Sequence, residues 1–260
     1  MIVLWAAAVL FALATGGWVT SVVRRNANVV DQLWGVAPTA VAVTSLAAGD
    51  VSTARSWMCA AMVTAWGTRL TVHLVRRDHG EEDWRHREAR ARHPRFERRS
   101  LPELFWMQLV GGGLVVGSPM FAVVTDDQPP LGWLDLLGVA LFVVGFVVEA
   151  VADHQLQRFR SDPANHGRVL QRGLWRYSRH PNYFGEAVLW IGIALLGVAA
   201  GAWWALLSPA LVLIVVLRIT GMRAMDAHLL ATRGDRYADF VQTTSAFVPL
   251  PRRRRVPSSR

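Results

Sequence analysis

From Gly173 to Glu186 the chain reads Gly-Leu-Trp-Arg-Tyr-Ser-Arg-His-Pro-Asn-Tyr-Phe-Gly-Glu, a short stretch dense in groups that bind or transfer charge. It holds two arginines, a histidine, an asparagine, two tyrosines, a tryptophan and a carboxylate. The chain then turns apolar from Ala187 to Trp204. A polar cluster at the mouth of a buried helix points to a ligand site rather than a solvated loop. Pro181 suits the first turn of that helix, where its missing N–H costs nothing. Asn182 and Glu186, four residues apart, then share one helical face. A carboxylate where a helix enters a bilayer is costly unless it is paired or bound.

Other ionisable groups fall at comparable positions. Asp31 and Gln32 open the second apolar run, and Arg69, His73, Arg76 and Arg77 close the third. Glu149, Asp153 and Arg160 end the fifth, while Arg218 and Arg223 follow the last. Such a ring suits a large phosphorylated ligand arriving from the cytosol, with arginines for its phosphates. A lipid-soluble partner can enter from within the bilayer. Blander readings stand beside this one. Arg77 and Arg218 can simply snorkel to headgroups, His73 can be a packing residue, and the block Arg76–Arg99 can be a solvated helical loop. That block has nine arginines and six acidic residues, so much of its charge is self-compensated.

Several chemistries are excluded. The chain contains no lysine, so lysine Schiff-base and general-base mechanisms drop out. Cys59 is the only cysteine, which leaves no internal disulfide or cysteine metal cluster and reads as a small core residue. The histidines show no HExxH pairing, and no metal site is expected. No Walker loop or strand-linked GxGxxG is present, so a soluble nucleotide-binding fold is not expected.

The elements that must position these groups follow from the charge pattern. The chain has 260 residues, 52% hydrophobic and 18% charged, with a formal net charge of +9. Its charges collect between apolar runs of about 20 residues, the length that crosses a bilayer as helix. The expected fold is an all-α polytopic membrane domain over residues 1–250, with a loose basic tail at 251–260. Seven spans are expected near residues 1–23, 29–48, 56–75, 103–124, 131–151, 183–200 and 203–217. Arg24-Arg25, both large polar blocks and the tail then share one side. Asp50, Arg55, Asp126 and Asp127 lie on the other. The positive-inside rule makes the arginine side cytoplasmic, with the N-terminus outside and the C-terminus inside. The basic excess is accordingly a topology signal, and no nucleic-acid partner is expected.

Tyr177-Ser178-Arg179-His180-Pro181-Asn182-Tyr183-Phe184-Gly185-Glu186 resembles the C-terminal motif of the steroid 5-alpha-reductase superfamily. The chain is more closely similar to its bacterial branch, a domain of unknown function catalogued as DUF1295. The likeness extends through Val30 to Gly35, Arg69-Leu70 with His73-Leu74, Gly80 with Glu82-Asp83, and Tyr237 to Pro249. It implies a seven-helix membrane enzyme of the bacterial inner membrane, with its site facing the cytoplasm. The implied reaction is NADPH-dependent reduction of a carbon–carbon double bond conjugated to a carbonyl in a lipophilic, steroid-like or other lipid substrate. By position, Asn182 and Glu186 would hold the nicotinamide half of the cofactor. Asp153, Arg160 and Arg223 would line its diphosphate and adenosine ends, and Arg76 and Arg77 would add to the site. Tyr177, His180 and Tyr183 would form pocket walls.

Two positions depart from the steroid enzymes. Their span-two Gln-Glu pair, which meets the substrate carbonyl, corresponds here to Asp31-Gln32, and Trp66 stands at a span-three tyrosine. A buried, protonated Asp31 is the expected substitute donor to the enone oxygen, with Gln32 and Glu186 as the other catalytic candidates. Isoprenylcysteine and phospholipid methyltransferases, which use S-adenosylmethionine, carry a similar Arg-His-Pro-x-Tyr-x-Gly segment. They would show a Glu-Glu pair near the end of the last span, where this chain has Met225-Asp226. A non-enzymatic transporter or assembly factor would need an aqueous path, yet the outer halves of the spans are almost free of polar side chains.

Overall fold

The computed structural model describes residues 1–49, 52–78, 80–125, 128–219 and 222–252. The expected outer turns at Asp50 and at Asp126-Asp127, and the tail from residue 253 onward, lie outside the described residues. Among those described, helix is the only regular structure, with one isolated parallel bridge between Ser178 and Ser245. The helices are α1 (Ile2–Arg24), α2 (Asn28–Leu33), α3 (Val36–Ala48), α4 (Ala54–Arg77), α5 (Trp84–Arg92) and α6 (Phe96–Ser100). A wide-turn π-helix (Leu101–Gly112) leads into α7 (Gly113–Val116) and α8 (Ser118–Ala122). The later α-helices are α9 (Trp133–Arg160), α10 (Pro181–Ala199), α11 (Leu207–Ile214), α12 (Met222–Arg233) and α13 (Asp235–Thr243), with short 3-10 turns at Pro163–Asn165, Gly173–Arg176 and Trp203–Leu206 and a second π-helix at Val215–Ile219.

Among the described residues, five helical stretches are long and apolar enough to cross a membrane: Ile2–Arg24, Asn28–Ala48, Trp133–Arg160, Pro181–Ala199 and, leaving aside residues 220–221, Trp203–Arg233. Backbone polar groups in hydrocarbon must be satisfied internally, and continuous helix does this; the chain is an integral membrane protein. Two expected spans look different. Residues 56–75 fall inside the unbroken helix α4, but Arg55, Arg69, His73, Arg76 and Arg77 dilute its apolar character. Residues 103–124 do not form one helix. The glycines at 111–113 and 117 and the proline at 119 divide them between the π-helix, α7 and α8.

The contacts divide the chain into two compact units, 1–138 with 193–211, and 139–192 with 212–260. In the first unit α3 packs on both α1 and α4, and α1 packs on the π-helix, around the fully buried Leu10, Trp66, Phe105 and Met120. Gly35 and Gly67 let two helices meet backbone to backbone: a Cβ on either would lie 2.5 or 2.3 Å from the other's carbonyl oxygen. Helix α4 opens with a reciprocal cap between Thr53 and Ser56. Its Arg55, only 3% exposed, grips Asp135 through Nε (2.7 Å) and Nη2 (2.9 Å) and donates to the carbonyls of Pro129 and Pro130. Gln128 Oε1 accepts a further bond at 3.1 Å, so each N–H of that buried guanidinium has an acceptor, as a charge away from water requires.

In the second unit α9 and α10 cross at Gly145 and Gly185. A Cβ at Gly185 would sit 2.6 Å from both Glu149 N and Gly145 O. Trp175, in the turn before α10, anchors to α9 by donating Nε1–H to the carbonyl of Ala152 at 3.0 Å. The segment after α13 lies along this turn. Arg179 N–H donates to Ser245 O (2.9 Å), Leu250 N–H to Tyr177 O (3.0 Å) and Ser178 Oγ–H to Phe247 O (2.7 Å).

Candidate active site

Helix α10 begins at Pro181, so the polar stretch forms its N-terminal approach and first turns. The glycine crossing sets what this start faces. With no side chain between the helices, α10 lies against α9 closely enough for Asn182 Nδ2–H to donate to Asp153 Oδ1 at 3.2 Å. That bond fixes the amide orientation and leaves Asn182 Oδ1 as a buried acceptor with no protein partner among the described residues. Glu149, one turn before Asp153 on α9, is 3% exposed, so two buried carboxylates stand at this crossing. Glu186 follows Asn182 by one turn on the same face. Arg160 ends α9 two turns after Asp153, and Arg223 lies in the first turn of α12; both are exposed.

A second cluster ties the approach to the end of the chain. His180 Nε2 lies 3.0 Å from Asp226 Oδ1 and Arg179 Nη1 lies 3.2 Å from Asp226 Oδ2. Tyr237 Oη–H donates to the same carboxylate. Burial pushes the Tyr237 phenol up from its ordinary value, and the negative Asp226 adds to the shift. The His180 ring stacks on Tyr183, with centroids 5.4 Å apart and planes 5° apart. Tyr177 is largely exposed at the outer edge of the turn. An open groove of about 690 Å³ in this unit is lined by Arg168, Gln171, Arg236, Asp239 and Arg252.

The first unit carries Asp31, Gln32, Arg76 and Arg77. Asp31 is not an isolated buried acid: it is 24% exposed, and Oδ2 accepts from Arg85 Nη2 at 3.0 Å with His86 Nε2 at 3.4 Å. Gln32 Nε2–H donates to Asp78 Oδ2 at 2.6 Å. Asp31, Gln32 and Arg77 line a cleft of about 410 Å³ with Asn28, Asp78 and Asp83, whereas Arg76 is exposed on the last turn of α4. The floor of the cleft is built by the acidic stretch after Gly80. Asp83 N–H donates to Asn28 Oδ1, Ala27 N–H donates to Glu82 Oε1, and Arg90 pairs with Glu82 at 2.8 Å. Burial alone would raise the Glu82 carboxyl, but the bonds from Arg90 and Ala27 outweigh it and hold it below the usual carboxylate range. Asp83 is held low in the same way, with Arg85 overriding burial.

Among the expected residues, the second unit thus brings Asn182 to Asp153 and His180 to Tyr183, and the first places Asp31, Gln32 and Arg77 on one cleft. Sequence reasoning passed over Asp226 and Tyr237 as ligands of the motif, and Arg85 and His86 as partners of Asp31. The available signal was weak: a lone aspartate after Arg223, and two basic residues in a block already rich in them.

The profile of a family described as "Protein of unknown function (DUF1295)" matches residues 17–244. An uncharacterized protein of Schizosaccharomyces pombe is 29% identical over 217 residues, covering 73% of this chain and 63% of that protein. The human 3-oxo-5-alpha-steroid 4-dehydrogenase 2 is 30% identical over 144 residues, 54% of this chain and 52% of the human one. A steroid 5-alpha-reductase of Arabidopsis thaliana is 34% identical over 72 residues, 27% of each chain. The chain therefore spans between about a quarter and just under two thirds of the length of these relatives.

Proposed function

This chain belongs to the DUF1295 family, and on that premise we propose that it is a membrane reductase that uses NADPH to saturate a carbon–carbon double bond conjugated to a carbonyl in a lipophilic, steroid-like substrate. The observation that carries the reading is the start of α10. Asn182 turns its amide N–H₂ to Asp153 and leaves a buried carbonyl oxygen unmatched. A buried acceptor without a partner is costly, and the carboxamide N–H₂ of a nicotinamide is a donor that would satisfy it. The exposed guanidiniums of Arg160 and Arg223, and those lining the groove with Arg168, suit the phosphates of the same dinucleotide. When bound, the reduced nicotinamide supplies a hydride to the β carbon of the enone.

The protein's own residues supply position, electrostatics and dryness. Asn182 and Glu186 hold the nicotinamide end, and Tyr177, His180 and Tyr183 wall it. Within the first unit, Asp31 and Gln32 are the candidates for polarising an enone carbonyl. With Asp31 already accepting from Arg85 and His86, the guanidinium that lines their cleft and can donate to a developing enolate is that of Arg77. The topology that accompanies this reading is seven spans, N-terminus outside and C-terminus inside, in a bacterial inner membrane with the site facing the cytoplasm. Membrane lipids surround the spans and the acceptor enters from among them.

The methyltransferase reading is separated from this one by ligand. Titration of the detergent-solubilised protein with NADPH should quench its tryptophan fluorescence saturably, and S-adenosylmethionine should not. Glu186→Ala should remain membrane-inserted and lose NADPH-dependent turnover. Full turnover in Glu186→Ala, or tight binding of S-adenosylmethionine with none of NADPH, overturns the proposal.

A further inference from the structure

The carboxylate of Asp226 holds three groups from two parts of the second unit at once: the motif's adjacent Arg179 and His180, and Tyr237 from α13. It does so in a largely enclosed place, with side chains of Asp226, His180 and Arg179 exposed by 18%, 5% and 10% and Tyr237 buried. At that degree of burial the cluster is not a surface ion pair. Two of its ligands precede Pro181 directly. Helix α10 can start there only if the chain before it is held in a fixed direction, because proline restricts the residue it follows. Ser178 Oγ accepts from His180 N–H at 3.1 Å and donates to Phe247 O, which fixes the backbone. The side-chain directions are left to Asp226.

We infer that Asp226 is a positioning residue for the dinucleotide wall: by holding His180 through Nε2 and Arg179 through Nη1, it sets the imidazole plane on which Tyr183 stacks and hence the entry face of α10. The inference rests on the reductase reading for its ligand but not for its geometry. A carboxylate at Nε2 retains the proton on that nitrogen and leaves Nδ1 as the acceptor of the neutral ring. It also keeps the ring parallel to Tyr183, 5.4 Å away. An amide in place of the carboxylate can accept from one neighbour but turns an N–H₂ toward another. Asp226→Asn therefore keeps the volume and loses the simultaneous grip. Tyr237→Phe removes the third donor and leaves the two motif contacts, so it separates the structural side of the cluster from its positioning side.

The experiment compares wild-type full-length protein with Asp226→Asn, Asp226→Glu and Tyr237→Phe in detergent. NADPH dissociation constants are read by fluorescence quenching and His180 ring ¹⁵N resonances by NMR, assigned by their loss in His180→Gln. Asp226→Asn is expected to shift the His180 resonances without ligand and to weaken NADPH by about tenfold or more, the scale of one lost charge-assisted hydrogen bond. Asp226→Glu recovers part of that affinity, and Tyr237→Phe changes stability with NADPH affinity within about twofold. Unchanged His180 resonances in Asp226→Asn, or an NADPH dissociation constant equal to wild type in a variant that is merely less stable, overturn the inference. Should wild type not bind NADPH at all, the reductase reading falls, and the His180 resonances alone then decide whether Asp226 orders the motif.

Discussion

In Gly185→Ala the added methyl carbon would be placed 2.6 Å from Glu149 N and 2.6 Å from Gly145 O, with Glu149 Cα at 3.0 Å. All three are backbone atoms of α9, so no side chain can rotate away to admit it. Ordinary contact needs about 3.5–4.0 Å, and the two helices must part by about 1 Å at this level. The Asn182–Asp153 bond, 3.2 Å long one turn away, then stretches past hydrogen-bonding range. Over-packing of this kind costs about 1–3 kcal/mol, and loss of the Asn182–Asp153 bond adds about 0.5–1.5 kcal/mol. Better helix propensity returns about 0.5–1 kcal/mol, so the net loss is about 0.5–4 kcal/mol. The control is Gly16→Ala in α1, where an added Cβ meets nothing within 4 Å and stability should be unchanged or slightly raised. Unfolding of both variants by dodecyl sulfate in mixed micelles, followed by tryptophan fluorescence, measures the difference. NADPH affinity should fall in Gly185→Ala and hold in Gly16→Ala. Equal stability and equal NADPH affinity in the two variants would refute the claim that the glycine crossing sets the site.

Other perturbations test separate parts of the structure. Arg55→Ala leaves Asp135 buried without its partner and should cost about 3–5 kcal/mol in the same unfolding assay, whereas the double variant Arg55→Met/Asp135→Leu should recover most of it. Because Glu82 titrates lower in the folded than in the unfolded chain, its contribution is present above the unfolded value and lost as pH falls through the folded one. Protease cleavage of residues 80–92 should therefore rise as pH drops below about 4, and Glu82→Gln should show the raised cleavage already at neutral pH. Tyr237 has the opposite sign: its phenol titrates higher when folded, so its contribution holds below the unfolded value and is lost as pH rises past it. Thermal stability should fall from about pH 10 upward in wild type, and that alkaline slope should flatten in Tyr237→Phe.

The part of the site that could be read along the chain is the part made by local spacing. Pro181 does begin a helix, and Asn182 and Glu186 do fall one turn apart on it, because both follow from proline geometry and helical period alone. Asp153 was visible as a polar residue at the end of a span, but its bond to Asn182 depends on Gly145 and Gly185 meeting across two helices far apart in sequence. Nothing local encodes that meeting. Asp226 was harder still: its three partners come from positions 179, 180 and 237, and in the sequence it registered only as the absence of a Glu-Glu pair. Asp31 shows the converse. Its place at a helix boundary was legible, yet Arg85 and His86, which set its chemistry, sit in a block where any arginine looked interchangeable with its neighbours. The division of residues 101–122 was not expected, since 103–124 read as one span: apolar composition cannot distinguish a continuous helix from a wide-turn helix followed by two short ones.

The reductase account stands most directly on where a hydride goes. Membranes containing the protein, supplied with NADPH deuterated at nicotinamide C4 and a 4-ene-3-oxosteroid or another lipophilic enone, should yield a saturated product with one deuterium on the former β carbon by mass spectrometry. Glu186→Ala membranes should yield none. Deuterium-free product, or saturation that persists undiminished in Glu186→Ala, would contradict the account.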